Sequence, residues 1–285
     1  MKDYTLKYGK GSVTFALDEA HVTELYGTPV PKIDDIRAAL YATLSSPVSH
    51  EPLESWVNPG DKVALIVSDM SRFWMRQDLV VPHIISYLTD KCDVNQNNIT
   101  IIIANGTHPG GDENELRTLV TDGVYDRIRV VNHDCQAKDL VYIGTTSLGT
   151  EVRINPIAAN ADKVIMLGAC TYHVMAGYGG GRKSILPGIS GLETIRQNHL
   201  HSLDLLAPRS NPLIGNGVTD GNPLNEDMCQ AAAMVKNLFG INLVTNADMQ
   251  LAHIISGDPM KSWQLACHRV DDIYRVPIVK KADVI

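Results

Sequence analysis

A chain of 285 residues, 44% hydrophobic and 20% charged, carries enough apolar material for the core of a soluble globular protein, in one large domain or two small ones. Its net charge of −7 argues against a general nucleic-acid or anionic-membrane surface, so a small anionic substrate would need a local positive patch. The five cysteines (Cys92, Cys135, Cys170, Cys229, Cys267) are scattered and form no C-x-x-C pair, which points away from a disulfide framework or a zinc knuckle. With no signal peptide in the opening residues and no apolar run near the roughly 18 residues of a membrane span, a cytoplasmic location is expected.

In chain order, a helical pattern over Ile33–Leu44 precedes a β-branched run, Lys62–Val67. A helix is predicted over Asp78–Asp90, then buried-strand runs at Ile99–Ala104, Ile128–Asn132 and Lys163–Leu167. Gly191–His201 and Asn222–Lys236 read as helices, Ile241–Thr245 and Ala252–Ser256 as strands. Asp258-Pro259 is a helix start signal for a segment running to about Tyr274. Strands alternating with helices predict an α/β fold, a mainly parallel sheet flanked by helices, with the ligand cleft at the carboxyl ends of the strands. Pro277–Ile285 reads as a crossover and the first half of another buried strand, either closing the same sheet or entering a second α/β domain; the second is preferred.

The residues after each strand run are therefore the ones to weigh. Ser68-Asp69-Met70-Ser71-Arg72 follows the first, Asn105-Gly106-Thr107-His108 the second, and Gly168–Tyr172 with His173 a later one. Singly, each has a bland reading. Asp69 and Ser71 suit a helix cap, Arg72 a surface charge, His108 a turn and His173 a half-buried, hydrogen-bonded ring. Their convergence on one edge favours a site.

Gly177-Tyr178-Gly179-Gly180-Gly181-Arg182-Lys183-Ser184 nearly matches the P-loop, G-x-x-x-x-G-K-[ST], but Arg182 stands where the glycine before the lysine should be. That glycine permits the turn by which backbone N–H groups wrap phosphates, so its loss weakens a nucleotide-triphosphatase reading. His199 and His201, two apart, cannot share a helical face, which argues against a zinc site built from these two alone.

Taken together, Asp69-x-x-Arg72, Gly106-Thr107-His108, His173-x-x-x-Gly177, Gly180-Gly181-x-Lys183, Pro187-Gly188 and Asn198-His199 occur in an order that resembles the lactate racemase family over nearly the whole chain. The resemblance is to that family's cofactor-carrying N-terminal domain. It implies nickel held by a pincer nucleotide, a pyridinium-3,5-dithiocarboxylic-type mononucleotide, covalently tethered at Lys183, with His199 as the protein ligand to the metal. It further implies that His108 and His173 are an acid/base pair of similar strength and that Arg72 holds the substrate carboxylate or polarises its oxygen. Asp69 would contact the cofactor or orient its neighbours, while Ser71, Gly179, Gly180 and Gly181 would line the cofactor. The implied reaction is racemisation or epimerisation of a small anionic 2-hydroxy acid by reversible hydride transfer, with cofactor-synthesising enzymes as partners.

The family's usual D-x-T-R-P is here Asp69-Met70-Ser71-Arg72-Phe73, and Phe73 with Trp74 suggests a reshaped pocket for a lactate-like or larger 2-hydroxy acid. Residues 1–275 read as the cofactor-binding domain and 276–285 as the start of a linker or strand toward a missing C-terminal domain, without which this chain is expected to have little or no turnover. The alternatives are a P-loop-like phosphotransferase or ATPase and a non-catalytic cofactor-binding remnant.

Overall fold

The computed structural model describes residues 1–278 and 281–282. Six strands form the central sheet: β1 (Val63–Ser68), β2 (Ile99–Ala104), β3 (Arg129–Asn132), β4 (Lys163–Ala169), β5 (Leu238–Thr245) and β6 (Leu251–Gly257). Their order is β6-β5-β4-β1-β2-β3, parallel throughout except for β6, which runs antiparallel beside β5 at one edge. Each coincides with one of the six runs expected from sequence. Register aligns the strands, with Val63 opposite Ile99 on one side and Lys163 on the other, so the carboxyl ends of β1, β2 and β4 open at one edge.

Both faces of the sheet are covered, which is why β1 reads as a continuous apolar run. Val63, Leu65 and Val67 pack with helices α1 (Ile36–Ser45), α2 (Val81–Asp90) and α3 (Glu113–Val120). Ala64 and Ile66, pointing the other way, pack with α4 (Leu192–Leu200) and α5 (Pro223–Ala233). Each fully buried leucine or isoleucine contributes about 1.5–3 kcal/mol by leaving water. Helix α6 (Pro259–Tyr274) covers β5 and β6, and it begins where the sequence signals: the Asp258 side chain accepts from the N–H groups of Met260 and Lys261, with Pro259 at the first turn.

Three features lie outside the expectation. An N-terminal hairpin, Lys2–Tyr8 with Gly11–Leu17, pairs Tyr4 with Phe15 and Leu6 with Val13 and is almost wholly exposed. A second hairpin joins Val141–Thr145 to Glu151–Ile154, and α3 is a short helix capped by Asp112. In the stretch Pro277–Ile285, where a further strand is expected, residues 279–280 and 283–285 lie outside the described residues. No helix among the described residues is long and apolar enough to cross a membrane.

Candidate active site at the carboxyl edge of the sheet

Asp69 leaves β1 and opens a 3-10 turn, Met70–Met75, yet its side chain caps no backbone group there. Instead Asp69 Oδ2 lies 2.6 Å from His108 Nδ1, and Oδ1 accepts from Ser71 Oγ at 2.7 Å. Arg72 Nη1 in turn donates to Ser71 Oγ at 3.1 Å and to the Ser71 carbonyl at 3.2 Å. Arg72 is exposed and has no carboxylate partner among the described residues. The carboxylate thus fixes the His108 ring with Nδ1–H toward Asp69, leaving Nε2 with a free lone pair. A cavity of about 360 Å³ opens beside this group, lined by Asp69, Ser71, Asn105, His108 and Glu115. Phe73 and Trp74 do not line it; they fold back onto the core, and Trp74 borders a separate cavity of about 190 Å³.

The His108 loop is pinned to the glycine-rich segment. Gly106 takes φ +56° and donates its N–H to the Gly188 carbonyl at 2.9 Å. That contact ties the turn after β2 to Pro187-Gly188, which binds two of the sequence motifs into one rim.

On the β4 side, a small hairpin pairs Tyr172–His173 with Gly177–Tyr178. The His173 ring sits inside its own turn, where Nδ1 accepts from the backbone N–H of Met175 at 3.2 Å and of Ala176 at 3.1 Å. Burial first, then the charges of Lys183, Arg72, Arg182 and His199, push the imidazole down to about 3. It is a neutral ring across the physiological range.

Arg182 explains the departure from the P-loop. Its side chain is wholly buried and gathers the carbonyls of Ala176, Tyr178, Gly179 and Gly180, with Nε and Nη2 on Asn225 Oδ1 at 2.9 and 2.7 Å. The guanidinium stacks 3.8 Å from the centre of the Trp263 ring. The loop therefore turns carbonyl oxygens inward onto a cation. Glycines 179–181 are required by protein packing: a Cβ on Gly180 would meet the Ala169 carbonyl at 2.9 Å, and one on Gly181 the Trp263 ring at 2.7 Å.

Lys183 follows on this loop. Burial, with Arg182 and Arg72 adding repulsion, lowers its amine to about 7, and no acidic group among the described residues counters them. A large fraction is then the neutral, nucleophilic form near neutrality. His199, on α4, donates Nδ1–H to the Ile195 carbonyl at 2.9 Å, so its Nε2 lone pair is available; burial lowers its basicity as well. Arg72 acts on both His173 and Lys183, and Lys183 on both His173 and His199, so these groups lie within electrostatic reach of one another, and Ser71 links Arg72 to the Asp69–His108 pair.

Sequence reasoning passes over Asn225, Asp227 and Trp263. Asp227 is fully buried and accepts from Thr150 Oγ1 at 2.8 Å and from Asn198 Nδ2 at 2.9 Å, fixing the helix that carries His199. Nothing local marks their roles, because the contacts that define them, Arg182 to Asn225, Asn198 to Asp227 and Trp263 to the Gly179 carbonyl, span 29 to 84 positions. His201, by contrast, stays apart from the site, with Nε2 3.9 Å from Asp227.

Residues 8–209 match the model of the lactate racemase N-terminal domain family. A lactate racemase of Thermoanaerobacterium thermosaccharolyticum is 26% identical across 100% of this chain, which covers 66% of that protein. One of Lactiplantibacillus plantarum is 26% identical over 96% of the chain and 64% of its own length. The solved lactate racemase apoprotein from Thermoanaerobacterium thermosaccharolyticum superposes with a TM-score of 0.85 at 25% identity, over 96% of this chain and 63% of that one. A Thermotoga maritima protein shares the fold, with a TM-score of 0.64 at 18% identity over 88% of this chain and 61% of its own. The chain thus spans just under two thirds of the length of the curated relatives it matches.

Proposed function

The chain belongs to the lactate racemase N-terminal domain family, and from that premise we propose that residues 1–275 form the cofactor-binding domain of a 2-hydroxy acid racemase or epimerase. What supports the reading is a Lys183 amine lowered to about 7 on the glycine-rich loop, within electrostatic reach of a His199 imidazole whose Nδ1 is engaged by the Ile195 carbonyl and whose Nε2 has no hydrogen-bond partner among the described residues. The donor set fits a nickel-pincer nucleotide tethered at Lys183. A neutral amine can form the amide-type link, and a neutral imidazole suits Ni(II) beside soft sulfur donors. Among the described residues no three His, Cys, Asp or Glu side chains cluster as a metal site, so a metal here needs donors that the cofactor brings.

When bound, that group supplies a reversible hydride acceptor. The rest of the work falls to the chain. Arg72, without a carboxylate partner among the described residues, offers a two-pronged grip on the substrate carboxylate. His108, oriented by Asp69, takes the hydroxyl proton at Nε2 as the C2–H bond breaks with its electron pair, leaving a planar 2-oxo acid. Return of hydride to the opposite face, with the proton restored to oxygen, gives the other configuration. The substrate is a lactate-like or larger 2-hydroxy acid, and enclosure of the cleft falls to chain of the kind the longer relatives carry in their remaining third.

The test is to co-express the chain with cofactor-synthesising enzymes and measure intact mass and metal. A covalent adduct with nickel is the expected result. A chain with neither adduct nor nickel would overturn the reading.

A further inference from the structure

His173 rides on a hairpin too short to hold itself. Its pairs are Tyr172 with Tyr178 and His173 with Gly177, and a two-stranded ribbon of that kind has little stability of its own. The ring cannot adjust independently either, because its Nδ1 accepts from the N–H groups of Met175 and Ala176 in the same turn. Where the hairpin sits, the imidazole sits.

The turn and the second strand are secured from the side of the glycine loop. Arg182 takes the Ala176 and Tyr178 carbonyls, Asn222 Nδ2 donates to the Met175 carbonyl at 2.8 Å, and the Gly217 N–H donates to the Gly177 carbonyl at 2.9 Å. The first strand, which carries His173, is tied differently. The Tyr172 hydroxyl donates to Asp271 Oδ1 at 2.7 Å, and the Tyr178 hydroxyl, from the opposite strand, donates to the same oxygen at 2.7 Å. One carboxylate on helix α6 thus bridges both strands, through charge-assisted bonds of the stronger kind. Just over two turns earlier on that helix, Trp263 Nε1–H donates to the Gly179 carbonyl at 2.9 Å. The two anchor points are about 12 Å apart along the helix axis, so one rigid element spaces the His173 hairpin from the loop that carries Lys183.

We infer that Asp271 is a positioning residue for His173: through Tyr172 and Tyr178 it fixes, relative to α6, the hairpin with which the imidazole must move. This rests on the racemase reading above, in which the family resemblance makes His173 one of two acid/base groups. The work of the aspartate and the two tyrosines is placement. Proton transfer requires the imidazole within hydrogen-bond reach of a bound hydroxyl, and a misplacement of about 1 Å can cost about a hundredfold in rate.

Two measurements test it. The first needs no cofactor: proton–nitrogen spectra of the histidine rings and amide exchange in the chain, with His173→Gln assigning the ring. In Asp271→Leu the His173 ring signal should move or broaden while those of His108 and His199 stay. With both hydroxyl bonds lost, the Met175 and Ala176 amides should exchange about tenfold faster or more, against less than about twofold for strand amides such as Ile102. Asp271→Asn keeps an acceptor oxygen for both tyrosines and should restore the wild-type signals. Tyr172→Phe should reproduce most of the loss without touching the helix, and it decides alone if Asp271→Leu does not fold. A ring signal unmoved by Tyr172→Phe, or an asparagine variant that fails to restore it, overturns the inference.

The second measurement is intact mass after maturation with the cofactor-synthesising enzymes. Asp271→Leu and wild type should carry the adduct alike, because the Lys183 loop is pinned by Arg182. Loss of the adduct in Asp271→Leu alone would show that the aspartate serves the glycine loop instead, and overturns the inference. A wild type without adduct sinks the racemase reading, and the ring signal then decides the clamp by itself.

Discussion

Around His108 the side chains are paired among themselves, in a chain running from the exposed Arg72 and Ser71 through a half-buried Asp69 to the exposed imidazole. Around Lys183 they are buried or half-buried and, among the described residues, unpaired with any acid: Arg182 is wholly enclosed, and the half-buried Lys183, His173 and His199 are all pushed toward their neutral forms, desolvation being the first cause in each. The same edge of one sheet thus offers two environments. A charge-bearing half at the surface suits a substrate that arrives and leaves, because Arg72 has no carboxylate partner there among the described residues. A desolvated, neutral half suits a group that is attached once and kept, since both amine chemistry and metal ligation need an unprotonated nitrogen. The difference follows from position: His108 lies on an outer turn after β2, whereas the glycine-rich loop is packed between the end of β4 and helix α6.

The sharpest break would come at Lys183. Lys183→Ala is expected to abolish covalent attachment of the cofactor completely, and Lys183→Arg should not restore it, because a guanidinium stays charged. Intact mass of each variant, matured with the cofactor-synthesising enzymes, checks this, and an adduct surviving in Lys183→Ala would place the tether elsewhere. On the other half, Asp69→Asn should lower racemisation by about 10²–10⁴-fold while leaving attachment intact, since the amide no longer favours the Nδ1–H ring at His108. If Asp69→Asn lost the adduct as well, the two halves would not be separable.

Arg182→Met tests what organises the buried half. Its removal strands several loop carbonyls and Asn225 Oδ1, so a loss of about 3 kcal/mol or more is expected in denaturant unfolding, against roughly 0.5 kcal/mol or less for an exposed change such as Arg196→Met. The last effect has the opposite sign. Lys183 is about 7 when folded and near 10.5 when unfolded, so the unfolded chain binds more protons between these values and stability rises with pH there. Lys183→Met removes that cost. It should stabilise the protein by a few kcal/mol at about pH 7, with the gain fading as pH approaches that of the free amine. A gain that does not vary with pH would mean Lys183 is not desolvated.

Much of this architecture is legible in the order of residues. All six strands of the central sheet lie on the β-branched runs, since a strand buried on both faces must be apolar at consecutive positions. Helix α6 is legible at its start because an aspartate followed by proline satisfies the first turn locally. The N-terminal hairpin lies off such runs: its two apolar rows, Tyr4 and Leu6 against Phe15 and Val13, alternate with polar residues on almost wholly exposed strands and meet only through pairing. Asp69 stays open, on sequence, between a helix cap and a site residue. Both readings demand the same carboxylate in the same turn, and only the position of His108, 39 residues on, separates them.

The sequence by itself determined the sheet, the edge on which chemistry gathers and the family, because each depends on residue type and order along the chain. It marked Arg182 as an anomaly without saying why it is there. Tertiary structure decided that this arginine is the buried pin of the glycine loop, held by Asn225 and Trp263 from two other helices. Tertiary structure likewise decided that the two histidines are unlike. An imidazole's tautomer is set by what meets its far nitrogen, a carboxylate for His108 and two backbone N–H groups for His173, and that is a fact of folding which residue identity cannot carry.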